Sequence, residues 1–134
     1  MMPQPSARRA RRPLALWAAL ICWATLILWL SSLTPQQLPD AAFVFWDKAN
    51  HFLAFTVGGW LAASALHASH HQARVVSNVI VAVILIAAFG VLDEALQTLT
   101  PGRTGGDFRD WVADLLGAAL GAFLSLPTRR RLLR

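Results

Sequence analysis

Residues 92–121 read LDEALQTLTPGRTGGDFRDWVADLLGAALG, which sets two carboxylates, a Gln, a Pro-Gly-Arg turn and three further Asp residues between two apolar runs. Charge this close to segments of lipid-spanning length is costly unless it is paired or used. The runs on either side, 75–92 and 111–126, therefore read as two membrane spans, and their polar connection is where function is to be sought.

The rest of the chain agrees. Its 134 residues leave room for one domain, and 56% of them are apolar while only 14% are charged. With a mean hydropathy of +0.49, and apolar residues grouped in runs, the composition is wrong for a soluble domain of this size. The formal charge of +5 does not argue for nucleic acid as a partner. Most of the Arg residues sit in terminal clusters flanking apolar runs, the pattern of topology signals and anionic-lipid contact. The single Cys22 lies inside an apolar run, so no intrachain disulfide is available and a Cys-based metal site is not expected.

After a basic segment at 1–13, residues 14–33 carry no charge. A helix of that length rises about 1.5 Å per residue and spans roughly 30 Å, the hydrocarbon thickness. A signal peptide is the competing reading, but the run exceeds the usual apolar region and no small-x-small cleavage pattern follows. The sequence SSLTPQQLPDAAFVFWD at 31–47 carries two helix-breaking prolines, and Phe43, Phe45 and Trp46 suit an interfacial segment at headgroup depth. A second span is expected over 52–68, a third over 75–92, and a fourth over 111–126 ended by Pro127. The fold expected is all-α, a four-helix transmembrane bundle with an interfacial segment after the first span. It comprises a membrane domain at 14–127 and basic tails at 1–13 and 128–134.

The Lys and Arg positions orient the bundle. Placing both termini in the cytoplasm puts Arg8, Arg9, Arg11, Arg12, Arg74, Arg129, Arg130, Arg131 and Arg134 inside, against Lys48, Arg103 and Arg109 outside, as the positive-inside rule favours. The start of span two, the end of span three and the connection to span four then share the extracytoplasmic face.

Several residues there are candidates for chemistry. Asp47 and His51 are four apart, on one helix face, where the carboxylate would orient the imidazole as an acid or base; Asn50 is a further hydrogen-bonding member. Lys48 is expected to point elsewhere and snorkel to headgroups. Glu94 is expected to face the bundle with Gln97, leaving the adjacent Asp93 peripheral. The Pro101-Gly102 turn returns Arg103 over the site, where its planar fork suits a phosphate or carboxylate or pairs with Glu94. Asp107, Asp110 and Asp114 fall on one stripe that continues through Gly117 and Gly121, whose spacing admits a close helix neighbour. Asp114, a turn inside an apolar run, needs a partner or a cation; His51, Arg103 and Arg109 are the candidate partners. His67, His70 and His71 read as a polar cytoplasmic loop, without the carboxylate that would favour a metal site.

The segments DKANHFLAF at 47–55 and DEALQTLTPGRTGGDFRDWVADLLGAALG at 93–121, with the four-span plan, resemble the VanZ-like family of small bacterial membrane proteins. The family pattern is Asp-Lys-x-x-His-Phe, then Glu-x-x-Gln, Pro-x-Arg, Asp, and a closing Asn-x-x-Gly-x-x-x-Gly. It is matched by Asp47, Lys48, His51 and Phe52; Glu94 and Gln97; Pro101 and Arg103; Asp110; and Gly117 with Gly121. Asp114 stands at the Asn position, keeping an oxygen acceptor but losing an amide donor and adding a charge. The match covers 47–123, about three fifths of the chain. The resemblance implies the bacterial cytoplasmic (inner) membrane and a family named for lowered susceptibility to the glycopeptide teicoplanin; it transfers no particular reaction.

Two functional readings follow. In the first, the protein recognises or modifies an anionic lipid or envelope-precursor headgroup, with membrane lipids as its partners. His51, Asp47 and Glu94 would be the catalytic groups, while Arg103, Gln97, Asp110 and Asp114 bind substrate. Glu94, Asp110 and Asp114 would polarise a hydroxyl or carry a divalent ion, although no residue is assigned as a dedicated metal ligand and no cofactor is specified. In the second, the polar cluster is non-catalytic and locks the four helices together. A transporter or channel ranks third, since four short spans leave little room for an aqueous path.

Overall fold

A computed structural model describes residues 7–38, 47–70 and 72–132. They form four helices: α1, Ala7–Ser31; α2, Asp47–Ser69; α3, Val75–Leu99; and α4, Phe108–Leu132. All four contain a stretch long and apolar enough to cross a membrane, and the chain is a multi-pass membrane protein built as an all-α four-helix bundle. The interfacial segment expected around Phe43, Phe45 and Trp46 lies largely outside the described residues.

α2 is the hub. Of its apolar window 56% is buried inside the bundle, against 17% for α1, so α1 is the peripheral helix and keeps most of its surface for lipid. The tight pairing of α2 with α4 comes from missing side chains. A Cβ on Gly59 would strike the backbone of Ala118, one on Gly117 the carbonyl of Phe52, and one on Gly121 the carbonyl of Thr56. With hydrogens there instead, the two backbones approach until they touch, and dispersion drives helix association where lipid tails offer no hydrophobic gain.

Around this pair the core is Leu20, Trp23, Phe55, Leu61, Ala62, Leu66, Ala82, Ile86, Ala118 and Ala122, all buried. The indole N–H groups find acceptors on neighbouring helices, as buried Trp requires. Trp23 donates to the Ala54 carbonyl at 3.0 Å, Trp111 to the Ala87 carbonyl at 3.0 Å and Trp17 to Ser69 Oγ at 2.9 Å. Gly58 leaves room for the Trp23 ring, and Phe55 meets that ring edge-on at 5.5 Å between centroids.

Three sequence expectations are corrected. Pro127 does not end the fourth span: α4 continues to Leu132, because proline removes one hydrogen bond while its neighbours keep theirs. The hydroxyls of Ser125 and Thr128 fold back onto the carbonyls of Ala122 and Ser125. His67 belongs to no loop; α2 runs to Ser69 and buries it completely, with Nδ1 3.2 Å from the Asn78 amide on α3. His70 is exposed beyond the helix end, and His71 lies outside the described residues. α3 likewise overruns its apolar stretch to Leu99, which places Asp93, Glu94 and Gln97 within its last two turns.

Candidate functional site

The C-terminal end of α1, the start of α2, the end of α3 and the start of α4 meet at one end of the bundle, joined there by the Ser31–Asp93, His51–Asp114 and Glu94–Asp107 hydrogen bonds. The connection between α3 and α4 is a folded cap over that end. Gly102 and Gly106 both have φ of +77°, a left-handed conformation that glycine adopts without steric cost. At Gly106 this turns two successive N–H groups toward α3, and Glu94 Oε2 accepts both, from Gly106 at 2.8 Å and Asp107 at 3.1 Å. Gly105 packs on the backbone of residues 94–98, where a side chain would collide.

Asp107 begins α4 as its N-cap. Its carbonyl accepts from Asp110 and Trp111 N–H, and its Oδ1 accepts from Arg109 N–H at 2.8 Å, satisfying a donor the helix cannot. The Asp107 carboxyl is held below its ordinary value by that backbone N–H and by the Lys48 ammonium beside it. Lys48 therefore does not snorkel away: its Nζ lies 3.1 Å from Asp107 Oδ2 and 2.5 Å from Asp110 Oδ1. Two carboxylates one turn apart, one of them buried, draw the ammonium inward and tie α2 to α4.

His51 finds its partner on α4 too. Nδ1 lies 2.9 Å from Asp114 Oδ1 and 3.9 Å from Glu94 Oε1, and its ring stacks on Phe55 with 6.4 Å between centroids. The hydrogen-bonding carboxylate is thus Asp114 rather than Asp47, which is exposed yet within 4.8 Å of His51 and Asp110 ligand atoms. Helix periodicity alone pairs residues four apart; the glycine-driven approach of α4 supplies a nearer partner from 63 residues away.

Asp93 is not peripheral. It is buried beside Glu94, accepting from Ser31 Oγ of α1 on one oxygen and from Gln97 Nε2 at 3.1 Å on the other. Gln97 in turn accepts from Arg103 Nη2 at 2.8 Å. Ser31, Asp93, Gln97 and Arg103 thereby form one chain of hydrogen bonds from α1 to the cap. Two adjacent carboxylates are both buried because α1 packs on the flank of α3 that carries Asp93. The Glu94–Arg103 pair expected from sequence is replaced by Arg103–Gln97, and among the described residues Arg103 makes no ion pair with a carboxylate.

A cavity of about 560 Å³ opens between α1, α2, the end of α3 and the cap. Ile27, Leu30, Leu38, Ala54 and Phe55 form its apolar wall, and Ser31, Asp47, Asn50, His51, Asp93, Gln97 and Arg103 its polar one. Of the expected site residues, Asp47, His51, Gln97 and Arg103 line it. Glu94, Asp110 and Asp114 do not; they stand behind His51 as supports. Ser31 and Asp93 line the cavity but were not expected there. Ser31 could have been noticed as the polar end of an uncharged run, whereas nothing local marks Asp93 as inward-facing.

For metal chemistry, His51, Glu94 and Asp114 each offer a ligand atom within 4.8 Å of the others, as do Asp47, His51 and Asp110.

Neither the curated proteins nor the solved structures include a significant match to this chain. A protein-family model does match, over residues 16–130, a span that takes in most of each of the four helices and every residue of the cavity and its supports. The chain belongs to the VanZ/LLP1 family.

Proposed function

We propose that this cavity binds the headgroup of an anionic amphiphile, a membrane lipid or lipid-linked envelope precursor, at the extracytoplasmic face of the membrane. The carrying observation is Arg103: it lies on the cavity wall, is oriented by Gln97 at 2.8 Å, and pairs with no carboxylate among the described residues. A guanidinium held in this way presents the remaining edge of its planar fork to a phosphate or carboxylate. Ile27, Leu30 and Phe55 in the same lining suit the first methylenes of an acyl or prenyl chain. The extracytoplasmic assignment rests on the Lys and Arg distribution.

The His51 imidazole, also in the cavity lining, is anchored through Nδ1 by Asp114, which leaves Nε2 as its other hydrogen-bonding atom. Should the headgroup be modified, His51 with Asp47 beside it would carry the proton transfers and Glu94 would act from behind. Altered glycopeptide susceptibility would on this reading follow from a changed supply or exposure of envelope precursors.

The test is binding in nanodiscs, read by native mass spectrometry, with phosphatidylglycerol against phosphatidylcholine. The parent protein should retain the anionic lipid preferentially, Arg103→Lys should lose about tenfold in preference by forfeiting the fork geometry, and Arg103→Gln should abolish it. Equal retention of both lipids by all three proteins would sink the proposal. Lipid profiles of cells with and without the protein then distinguish recognition from turnover.

A second reading has its own support. Lys48 joins α2 to α4, Ser31 and Asp93 join α1 to α3, and Glu94 holds the cap, as expected of a cluster that locks the bundle. On that reading, substitutions at Lys48, Asp93 or Glu94 lower the melting temperature in detergent and leave lipid selectivity unchanged.

A further inference from the structure

Among the described residues, two oxygens of the supporting layer accept no hydrogen bond. Glu94 Oε1 and Asp114 Oδ2 are buried without a hydrogen bond, on side chains whose residues are 6% and 0% exposed. Their companion oxygens are engaged, one by the cap and one by His51. The layer is also short of positive charge. Asp93, Glu94, Asp110 and Asp114 are all buried carboxylates, and among the described residues the permanent cations close to them are Lys48, bonded to Asp110 and Asp107, and Arg103. Unpartnered carboxylate oxygens inside an apolar bundle are strongly disfavoured and call for a proton or a cation.

We infer that His51, Glu94 and Asp114 form a binding site for one first-row divalent transition-metal ion, independent of what the neighbouring cavity holds. Each ligand comes from a different helix: α2, α3 and α4. Their donor atoms lie within 4.8 Å of one another. Ligands about 2.0–2.2 Å from a common ion stand roughly 3 to 3.5 Å apart, so side-chain rotation closes the set. Room for it exists on α3, where Gly90 replaces a side chain whose Cβ would sit 2.9 Å from Asp114 Oδ2. One imidazole nitrogen with two carboxylates favours Mn²⁺, Fe²⁺ or Zn²⁺ over Mg²⁺ or Ca²⁺, which prefer oxygen alone. With Nδ1 on the ion, the His51 proton resides on Nε2 and becomes a donor toward the cavity. The alternative set, Asp47, His51 and Asp110, is less suited, because Lys48 already holds Asp110 at 2.5 Å and Asp47 is exposed.

The experiment uses the purified full chain in detergent, stripped with a chelator and titrated with Mn²⁺ (followed by electron paramagnetic resonance) and with Zn²⁺ (followed by calorimetry). One equivalent should bind and raise the melting temperature. Glu94→Gln and Asp114→Asn should each weaken binding by more than about tenfold, while Asp47→Asn binds as the parent does. Both weakening variants remove a buried charge and preserve side-chain shape, so helical circular dichroism and monodisperse elution are expected without metal. No saturable binding of either ion to the parent overturns the inference, leaving protons on the orphaned oxygens. Binding that survives Glu94→Gln but is lost in His70→Ala overturns it too, placing the ion at the exposed histidine turn. Lipid selectivity is read separately, so a failed metal site leaves the Arg103 test unaffected.

Discussion

His51 Nδ1, near the start of α2, lies 2.9 Å from Oδ1 of Asp114 on α4, a fully buried carboxylate 63 residues further along the chain. This contact, rather than the local Asp47–His51 spacing, fixes the imidazole. It joins two helices whose backbones are already in contact.

The first prediction concerns that pair. In the presence of chelator, His51→Ala should destabilise the protein by about 1–3 kcal/mol, the cost of leaving a buried acceptor unsatisfied. Adding Asp114→Ala to it should restore part of the loss, since both partners are then gone. Asp47→Ala should have little effect on stability. A double-mutant cycle of unfolding in mixed micelles measures the coupling; a coupling to Asp47 as large as that to Asp114 would refute the assignment.

Glycines on the α2–α4 seam yield a second. Gly121→Val forces a side chain against the Thr56 carbonyl and the Trp60 N–H, and Gly117→Val against the Phe52 carbonyl. Overpacking of this kind costs about 1–3 kcal/mol or more. Ala119→Val, on the exposed side of the same helix, serves as control and should melt near the parent temperature. If all three variants unfold alike, close backbone approach is not what pairs these helices.

Acid sensitivity of the cap supplies a third. Because the folded state holds Asp107 below its ordinary value of 3.8, the ionised cap adds stability above that pH, and this is lost as pH falls through the lowered value. The Lys48 ammonium stays charged throughout this range. Melting temperatures taken from pH 7 down to pH 3 should therefore fall more steeply for the parent than for Asp107→Asn. Lys48→Met should lower stability at neutral pH and also flatten the profile, since it removes one of the two causes of the shift. Parallel profiles for all three proteins would remove Asp107 from the account.

Four spans and a polar end were legible because both are written in short windows. Lipid-length apolar runs become helices, since a backbone in hydrocarbon must satisfy its own hydrogen bonds. The residues DKANH at 47–51, Glu94, Gln97, Arg103, Asp110 and Asp114 announced a candidate site because charge beside such runs is selected against. Reading Gly117 and Gly121 as an approach face also needed only their spacing, and the observed seam bears it out.

Partners were a different matter. Nothing in the local sequence says that Ser31, at the end of α1, reaches Asp93, or that Lys48 turns inward to Asp110. Helix periodicity names the residues sharing a face, while the depth and rotation at which helices meet decide which faces touch; here glycine contacts and the folded cap set both. The sequence by itself determined that a polar cluster had to gather at one end of the bundle, because charge beside lipid-length runs must be paired or used, but not that Ser31 and Asp93 belong to it. Only the tertiary structure decided that Arg103 belongs to Gln97, His51 to Asp114 and Glu94 to the cap, because pairing depends on distances of a few ångströms across elements that the chain separates by dozens of residues.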